Sequence, residues 1–287
     1  MRVGRTIKLD SRRLAAIPPG VFLHRSLTSL SLYRNALTTL PDALWELAQL
    51  ETLNLADNQL DAIPDGIGKL RQLRMLDLGH NRLTSLPETL GELTALSGFL
   101  YLSNNRLAAL PHSLGNLARL MYLNVSDNLL AVLPPRLGDM TALRELRLYR
   151  NQLTALPEGI GELVHLRELH AQQNRLVSLP DRMGHLRELR ELDLEDNALT
   201  SLPASIGGLV QLRRLNLRNN ALAALPASIG NLARLTHLDL RANPLRTLPD
   251  EISALPNLEK LDLRWCPLEP LPAWIAALQE RGCTVYQ

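Results

Sequence analysis

Histidine is the residue type in this chain whose spacing most directly suggests chemistry. His170 lies midway between Arg147 and Asp193 in the sequence, so a repeat whose period equals that spacing would place all three in one row. A histidine beside an aspartate can act as a general base, but catalysis also needs a nucleophile and a cleft. The sequence contains none of the GxxxxGK[ST], GxGxxG, HExxH or GxSxG motifs, and we therefore predict that the protein is not an enzyme.

The two cysteines, Cys266 and Cys283, are too few for a disulfide framework, and the sequence shows no cluster of further metal-ligating residues around them. We therefore predict no metal site and no cofactor. The amino terminus, MRVGRTIKLDS, lacks the apolar segment of a secretory signal peptide. Both features fit a reducing compartment, so the expected location is the cytoplasm, or a host cell reached by export without a cleaved signal.

Composition narrows the class of partner. Hydrophobic residues make up 46% of the 287 residues but aromatic residues only 3%, which predicts an aliphatic core. No apolar run approaches the roughly 18 residues that span a bilayer, so no membrane span is expected. The net charge of +2 does not resemble the strongly basic balance of nucleic-acid-binding proteins, so nucleic acid is not the expected partner.

Leucines recur along the chain at a regular period, and each unit reads LxxLxLxxNxLxxLPxxIxxLxx. Self-similarity at this period predicts a solenoid, because no unit can bury its apolar edge without a neighbour. We expect one continuous domain, with an irregular N-terminal repeat or cap over 1–26, eleven units over 27–280 and a short closing strand over 281–287. The units begin at Leu27, Leu50, Leu73, Leu96, Leu120, Leu143, Leu166, Leu189, Leu212, Leu235 and Leu258, with a single longer step after Leu96.

Two columns of the repeat have a structural interpretation. Proline fixes φ and cannot donate to a strand ladder, so the proline column should mark where each coil leaves the strand and begins a short helical or 3-10 turn. Asparagine carries donor and acceptor atoms, so stacked asparagines can satisfy backbone groups that the turns leave unpaired. The prolines are Pro18, Pro41, Pro64, Pro87, Pro111, Pro134, Pro157, Pro180, Pro203, Pro226, Pro249 and Pro272; the asparagines are Asn35, Asn58, Asn81, Asn105, Asn128, Asn151, Asn174, Asn197, Asn220 and Asn243.

This 23-residue pattern resembles the leucine-rich repeat family, and the resemblance covers residues 4–280. It is similar to the intracellular Ras-group class of plants and animals and to bacterial leucine-rich repeat proteins. The resemblance implies an α/β fold, a curved horseshoe-shaped solenoid with a parallel β-sheet on the concave face and short helical or 3-10 turns on the convex face. It also implies protein binding, although a fold alone does not set a function.

Aromatic and methionine side chains concentrate at strand positions between the core leucines, which should face solvent. Consecutive units should bring most of them into one patch, and such residues are enriched at protein interfaces. The alternative is that aromatic residues favour strands and pack on one another. The extra residue of the fourth unit lies within this patch, where Gly98 would permit a bulge. The candidates for partner binding are Tyr33, Met75, Phe99, Tyr101, Met121, Tyr122 and Tyr149.

Further along the chain, the same strand positions become charged and alternate in sign as far as Arg264. Arg147, Arg150 and His170, at the start of this stretch, complete the predicted partner-binding set. The planar guanidinium of arginine suits carboxylate or phosphate groups of a partner. A solvated surface explains the alternating charges equally well, so both interpretations stay open.

The leading hypothesis is a non-catalytic protein–protein interaction module that binds a partner on its concave face, in signalling or in host interaction. The resemblance implies a small GTPase or another signalling protein as the partner. One alternative is a substrate-recognition component or effector linked to a ubiquitin-ligase system, for which the low lysine content is the sequence hint. Another is a self-assembling structural solenoid, since weakly capped ends would allow a monomer or weak end-to-end association.

Overall fold

The computed structural model describes residues 5–287 of the chain. These residues divide into two compact units, one ending at Leu143 and the other covering Arg144–Gln287, and each is described by itself. Both units alternate short parallel strands with short helices. This arrangement confirms the predicted class of fold, a leucine-rich-repeat solenoid. Within residues 5–287, no helix is long and apolar enough to cross a lipid bilayer.

The first unit contains six strands, and each of the first five pairs in parallel with the next strand along the chain. Six 3-10 helices connect or follow them. The strands are β1 (Thr6–Lys8), β2 (Ser29–Ser31), β3 (Thr52–Asn54), β4 (Met75–Asp77), β5 (Phe99–Tyr101) and β6 (Tyr122–Asn124). The 3-10 helices are η1 (Pro19–Leu23), η2 (Asp42–Glu46), η3 (Asp65–Lys69), η4 (Glu88–Glu92), η5 (His112–Asn116) and η6 (Pro135–Asp139).

The second unit repeats the pattern with seven parallel strands, and its last helix is an α-helix. The strands are β7 (Glu145–Arg147), β8 (Glu168–His170), β9 (Glu191–Asp193), β10 (Arg214–Asn216), β11 (His237–Asp239), β12 (Lys260–Asp262) and β13 (Thr284–Tyr286). The helices are η7 (Glu158–Glu162), η8 (Asp181–His185), η9 (Ala204–Gly208), η10 (Ala227–Asn231), η11 (Asp250–Ala254) and α1 (Trp274–Glu280).

The proline column starts the helices, as the sequence predicts. Each of the eleven 3-10 helices within residues 5–287 follows directly on a proline of this column. Pro41, for example, has extended backbone angles, and its carbonyl accepts the N–H of Leu44 at 3.0 Å, which closes the first turn. Proline therefore ends the strand side of each coil without a lost ladder bond.

The asparagine column is structural, as predicted. In the second regular unit, the Asn58 side chain donates through Nδ2 to the carbonyls of Leu32 and Leu55, at 3.0 and 3.1 Å. Its Oδ1 accepts the N–H of Leu37 at 3.0 Å. Asn58 is only 8% exposed, so these bonds satisfy backbone groups that water cannot reach.

Alternation along each three-residue strand separates core from surface. The middle residue, such as Leu53, is buried, whereas the residues on either side lie on the outer face of the sheet. We call the first residues of the strands the first row and the third residues the third row. In β3 these are Thr52 and Asn54. Within a unit, register pairs first-row residues with first-row residues and third-row residues with third-row residues.

Candidate aromatic binding site

Three aromatic rings contact one another on the outer face of the first unit. The Phe99 and Tyr101 rings are stacked with centroids 5.8 Å apart, and the Phe99 and Tyr122 rings meet edge to face at 5.3 Å. Tyr101 and Tyr122 complete the set at 5.0 Å. We call these three residues the aromatic cluster. Such offset and edge-to-face pairs contribute about 0.5–1.5 kcal/mol beyond the area they bury.

The extra residue of the fourth unit sets the position of Phe99. Register between β4 and β5 pairs Leu76 with Leu100, a step that is longer by a single position than the step between β3 and β4. The N–H of Gly98 donates to the Arg74 carbonyl at 3.0 Å, and a Cβ at Gly98 would lie 3.0 Å from Cγ of Met75. Glycine therefore lets the strand accommodate the insertion next to Met75, as a bulge requires.

Exposure within the predicted patch is uneven. Met75, Phe99 and Met121 are 38–39% exposed, as expected for solvent-facing residues. Tyr122, however, is only 9% exposed, so the expectation that it faces solvent was wrong. It lies directly beside Phe99 in the first row, and its ring contacts those of Phe99 and Tyr101. Tyr122 supports the two outer rings, and Phe99 and Tyr101 offer the accessible aromatic surface.

A shallow cavity of about 70 Å³ adjoins the aromatic cluster, with Phe99, Tyr101 and Met75 among its walls. Asp77, the register partner of Tyr101, lines it as well and accepts the N–H of Gly79 at 3.0 Å. Burial raises the pKa of the Asp77 carboxyl above its ordinary value and outweighs the lowering effects of the Gly79 hydrogen bond and of the His80 charge. The cavity thus combines aromatic walls with a half-buried carboxylate.

The other predicted site residues are not members of the aromatic cluster. Tyr33 is in the first unit after β2 and is 41% exposed, but it makes no ring contact with the aromatic cluster. Tyr149, Arg147, Arg150 and His170 belong to the second unit. Arg147 donates through Nε to Glu145 at 2.6 Å, and Arg150 donates through Nε to Gln173 at 2.7 Å.

Charges on the outer face of the second unit largely pair with one another. Arg218 lies 3.2 Å from Glu195, and Arg264 lies 2.7 Å from Asp262. Burial alone would raise the pKa of Asp262, but hydrogen bonds from Arg264 and the charge of Arg241 hold it below its ordinary value. These internal pairs favour the solvated-surface interpretation of the alternating charges over an open site for a charged partner.

One group of residues was missed by the sequence analysis. Ligand atoms of Glu145, Glu168 and His170 all lie within 4.8 Å of one another on β7 and β8. The sequence analysis predicted no metal site and did not consider these three residues together. The signal that could have found them is the regular period that separates Glu145 from Glu168, because it makes them neighbours in one row.

Models of known protein families match nearly the whole sequence. A model described as leucine-rich repeat region matches residues 65–158 and 154–239, together more than half of the chain. The chain belongs to the leucine-rich repeat family. Two further leucine-rich repeat models match residues 5–60, and 234–255 with 257–278. No curated protein sequence matches the chain.

Solved leucine-rich repeat structures resemble the fold closely. A leucine-rich repeat protein of Leptospira interrogans is 26% identical over 99% of this chain and 95% of its own, with a TM-score of 0.62. A TDR receptor is 30% identical over 89% of this chain and 46% of its own, with a TM-score of 0.79. The plant peptide hormone receptor RGFR1, in complex with RGF2, is 29% identical over 91% and 51%, with a TM-score of 0.67. The chain therefore spans about half the length of these two receptor chains.

Membership of this family indicates a general kind of function. Leucine-rich repeat domains generally mediate protein–protein interaction and are typically non-catalytic. The family statement does not say which surface or which partner is involved. Those have to be argued from the side chains of this chain.

Proposed function

We propose that the chain is a non-catalytic module that binds a protein partner through the outer face of its first unit, anchored by Phe99 and Tyr101. The observation that carries the proposal is the aromatic cluster. Phe99 stays 39% exposed although Tyr122 packs against its edge. Large, rigid aromatic side chains at a surface are the residues that most often dominate the binding energy of protein interfaces.

The cavity beside the aromatic cluster indicates which partner side chain fits. An arginine or lysine of the partner would lay its apolar stem against Met75 and its cationic head near the Phe99 and Tyr101 rings, where cation–π attraction contributes roughly 0.5–2 kcal/mol. Asp77 lines the same cavity, and a cation would offset the cost of burying its carboxylate. Signalling or host interaction, and a small GTPase as partner, stay predictions from the resemblance.

Affinity capture followed by direct binding of the purified partner tests this proposal. The test variant is Phe99→Thr with Tyr101→Asn. Threonine occupies the first row in β1, β3 and β13, and asparagine occupies the third row in β3, β6 and β10, so both neutral changes suit these positions and folding should survive. Truncating an interface hot spot costs about 2 kcal/mol or more, so we expect at least a thirtyfold loss of affinity.

The matched control is Leu129→Glu. Leu129 is 48% exposed, and the equivalent position of other units carries Gln59, Arg82, Arg106 and Gln152, so charge is tolerated there. A partner that binds the wild type and the Leu129→Glu variant but not the double variant supports the proposal. Equal binding by all three folded proteins would place the interface elsewhere and refute it.

A further inference from the structure

Glu145, Glu168 and His170 stand together on the outer face of the second unit. Glu145 and Glu168 are direct register partners in the first row of β7 and β8. His170 follows Glu168 by two residues, and residues so spaced on a strand project to the same face. His170 Nε2 lies 3.4 Å from Oε2 of Glu168, and all three ligand atoms lie within 4.8 Å of one another.

The types and spacing of these atoms match a divalent metal. Zn²⁺ binds imidazole nitrogen and carboxylate oxygen at about 2.0–2.2 Å, so its ligand atoms lie roughly 3.3 Å apart in a tetrahedral site. The His170–Glu168 separation of 3.4 Å already has this value. A small rotation of the long Glu145 side chain would supply the third ligand.

Electrostatics at this position favour a cation. Glu145, Glu168 and Glu191 follow one another in the first row on three adjacent strands, and like charges directly opposite are destabilising. Arg147 offsets part of the charge through its 2.6 Å contact with Glu145. On the same face, two residues beyond His170, the amide oxygen Oε1 of Gln172 is buried and accepts no hydrogen bond from any described residue. A metal ion would relieve the repulsion, in competition with Arg147 for one oxygen of Glu145.

A second histidine on the same face, His237, has a different set of charged neighbours from those of His170. His237 stands between Arg214 and Lys260 in the first row. Asp239, two residues after it, is hydrogen-bonded to Arg241 at 2.9 Å. His237 therefore lies between two cations in its row, whereas His170 lies between Arg147 and Asp193 in its row and has the Glu168 carboxylate 3.4 Å away.

We propose that Glu145, Glu168 and His170 form a divalent-metal site of the Zn²⁺ class on the outer face of the second unit. Three protein ligands leave the fourth tetrahedral position open. Because that face is exposed, a water molecule or a carboxylate or imidazole of a binding partner would complete the coordination. This inference is independent of the aromatic cluster, which lies in the first unit.

Calorimetric titration of the untagged full chain with ZnCl₂ tests the site, with Co²⁺ absorption as a second probe. We expect one Zn²⁺ per chain. His170→Asn and Glu168→Gln should each weaken binding at least tenfold, the lower end of what even an outer-shell change costs a metal site. Asparagine occupies the third row in β3, β6 and β10, so His170→Asn should fold, which circular dichroism checks. His237→Thr, with threonine found in the first row of β1, β3 and β13, is the matched control and should bind Zn²⁺ as the wild type does.

Three outcomes would overturn the assignment. One is unchanged affinity in folded His170→Asn, and another is no Zn²⁺ binding by the wild type below millimolar concentration. The third is a thiolate-to-cobalt charge-transfer band, which would place the metal on Cys266 or Cys283 instead.

Discussion

At the scale of a single residue, burial of the Asp77 carboxyl in the candidate site lowers the stability of the folded protein. Its pKa is raised by burial, which means that the folded protein holds the proton more tightly than the unfolded chain does. The ionised carboxylate therefore destabilises the folded state at neutral pH, and this cost disappears below the ordinary pKa of 3.8, where both states are protonated. A destabilising group that lines a surface cavity is typical of a binding site.

We expect Asp77→Asn to raise the free energy of unfolding at pH 7 and to weaken partner binding. The amide removes the buried charge but keeps an oxygen for the Gly79 N–H, which Asp77 accepts at 3.0 Å. Urea unfolding measured from pH 7 to pH 3 should show the advantage shrinking as wild-type Asp77 becomes protonated. Asp61→Asn, at an exposed position, is the control and should change little at any pH. A less stable Asp77→Asn variant at pH 7 would contradict this account.

At the scale of the element, glycine decides how closely neighbouring coils approach. A Cβ at Gly184 would overlap the carbonyl oxygen of Ser205 in the next coil, closer than real atoms come. Trp45 occupies the same column in η2 and is 2% exposed. There the next coil carries Gly66, whose Cβ would overlap the Trp45 ring. A large side chain on one coil is thus accommodated by a glycine on the next coil.

We expect Gly184→Ala to lower the free energy of unfolding by about 1–3 kcal/mol, the usual cost of overpacking a closely packed contact. Gly20→Ala is the matched control, because a Cβ there would meet nothing within 4 Å. Thermal unfolding of both variants separates the close approach from the general effect of replacing glycine. Equal melting temperatures for the two variants would show that the coils can move apart at no cost.

Each coil also contains a residue whose backbone conformation is set by backbone hydrogen bonding. The sequence analysis did not predict this conformation. The residue before each asparagine of the column has a left-handed backbone, as at Asp57, with φ of 54°. Asparagine, aspartate and glycine adopt this conformation most easily. Arg34, Gln173 and Ala242 adopt it as well. The coil imposes the conformation, since the N–H of Asp57 donates to Gly79 of the next unit at 3.0 Å.

At the scale of the whole molecule, stability in a solenoid depends on neighbours and on the last strand of the row. β13 closes the second unit by pairing in parallel with β12, and two further backbone bonds join it to the chain around β12. The N–H of Leu263 donates to Tyr286 and the N–H of Thr284 donates to Glu259, both at 2.8 Å. The Tyr286 ring also lies 5.0 Å from the guanidinium of Arg264.

Deletion of residues 284–287 should leave β12 as an unpaired edge. We expect amide hydrogen exchange to rise at Leu263, whose N–H loses its acceptor on Tyr286, and to change little in Glu168–His170, because opening in a repeat protein is local. A chain that lacks only Gln287 is the control and should exchange as the wild type does. Uniformly faster exchange across the second unit would instead indicate that it unfolds as one block.

The regular period of the repeat is sufficient by itself to predict the class of fold. Each leucine, proline and asparagine column has one physical role, so the position of Leu53 in the core, of Pro41 at a helix start and of Asn58 in the backbone ladder follows from spacing alone. The same period predicted the row in which His170 lies between Arg147 and Asp193, and register confirms it. Membership of a row is a property of the backbone, which the repeat specifies.

Only the tertiary structure decided which side chains within a row are buried and which of them are in contact. Tyr122 and Phe99 occupy equivalent positions, yet one is 9% and the other 39% exposed, because exposure depends on the sizes and rotamers of neighbouring side chains. Likewise, Glu145 is far from Glu168 and His170 in sequence and meets them only when β7 and β8 pair. Spacing fixes which backbone positions are neighbours, whereas contact between side chains depends on their packing in three dimensions.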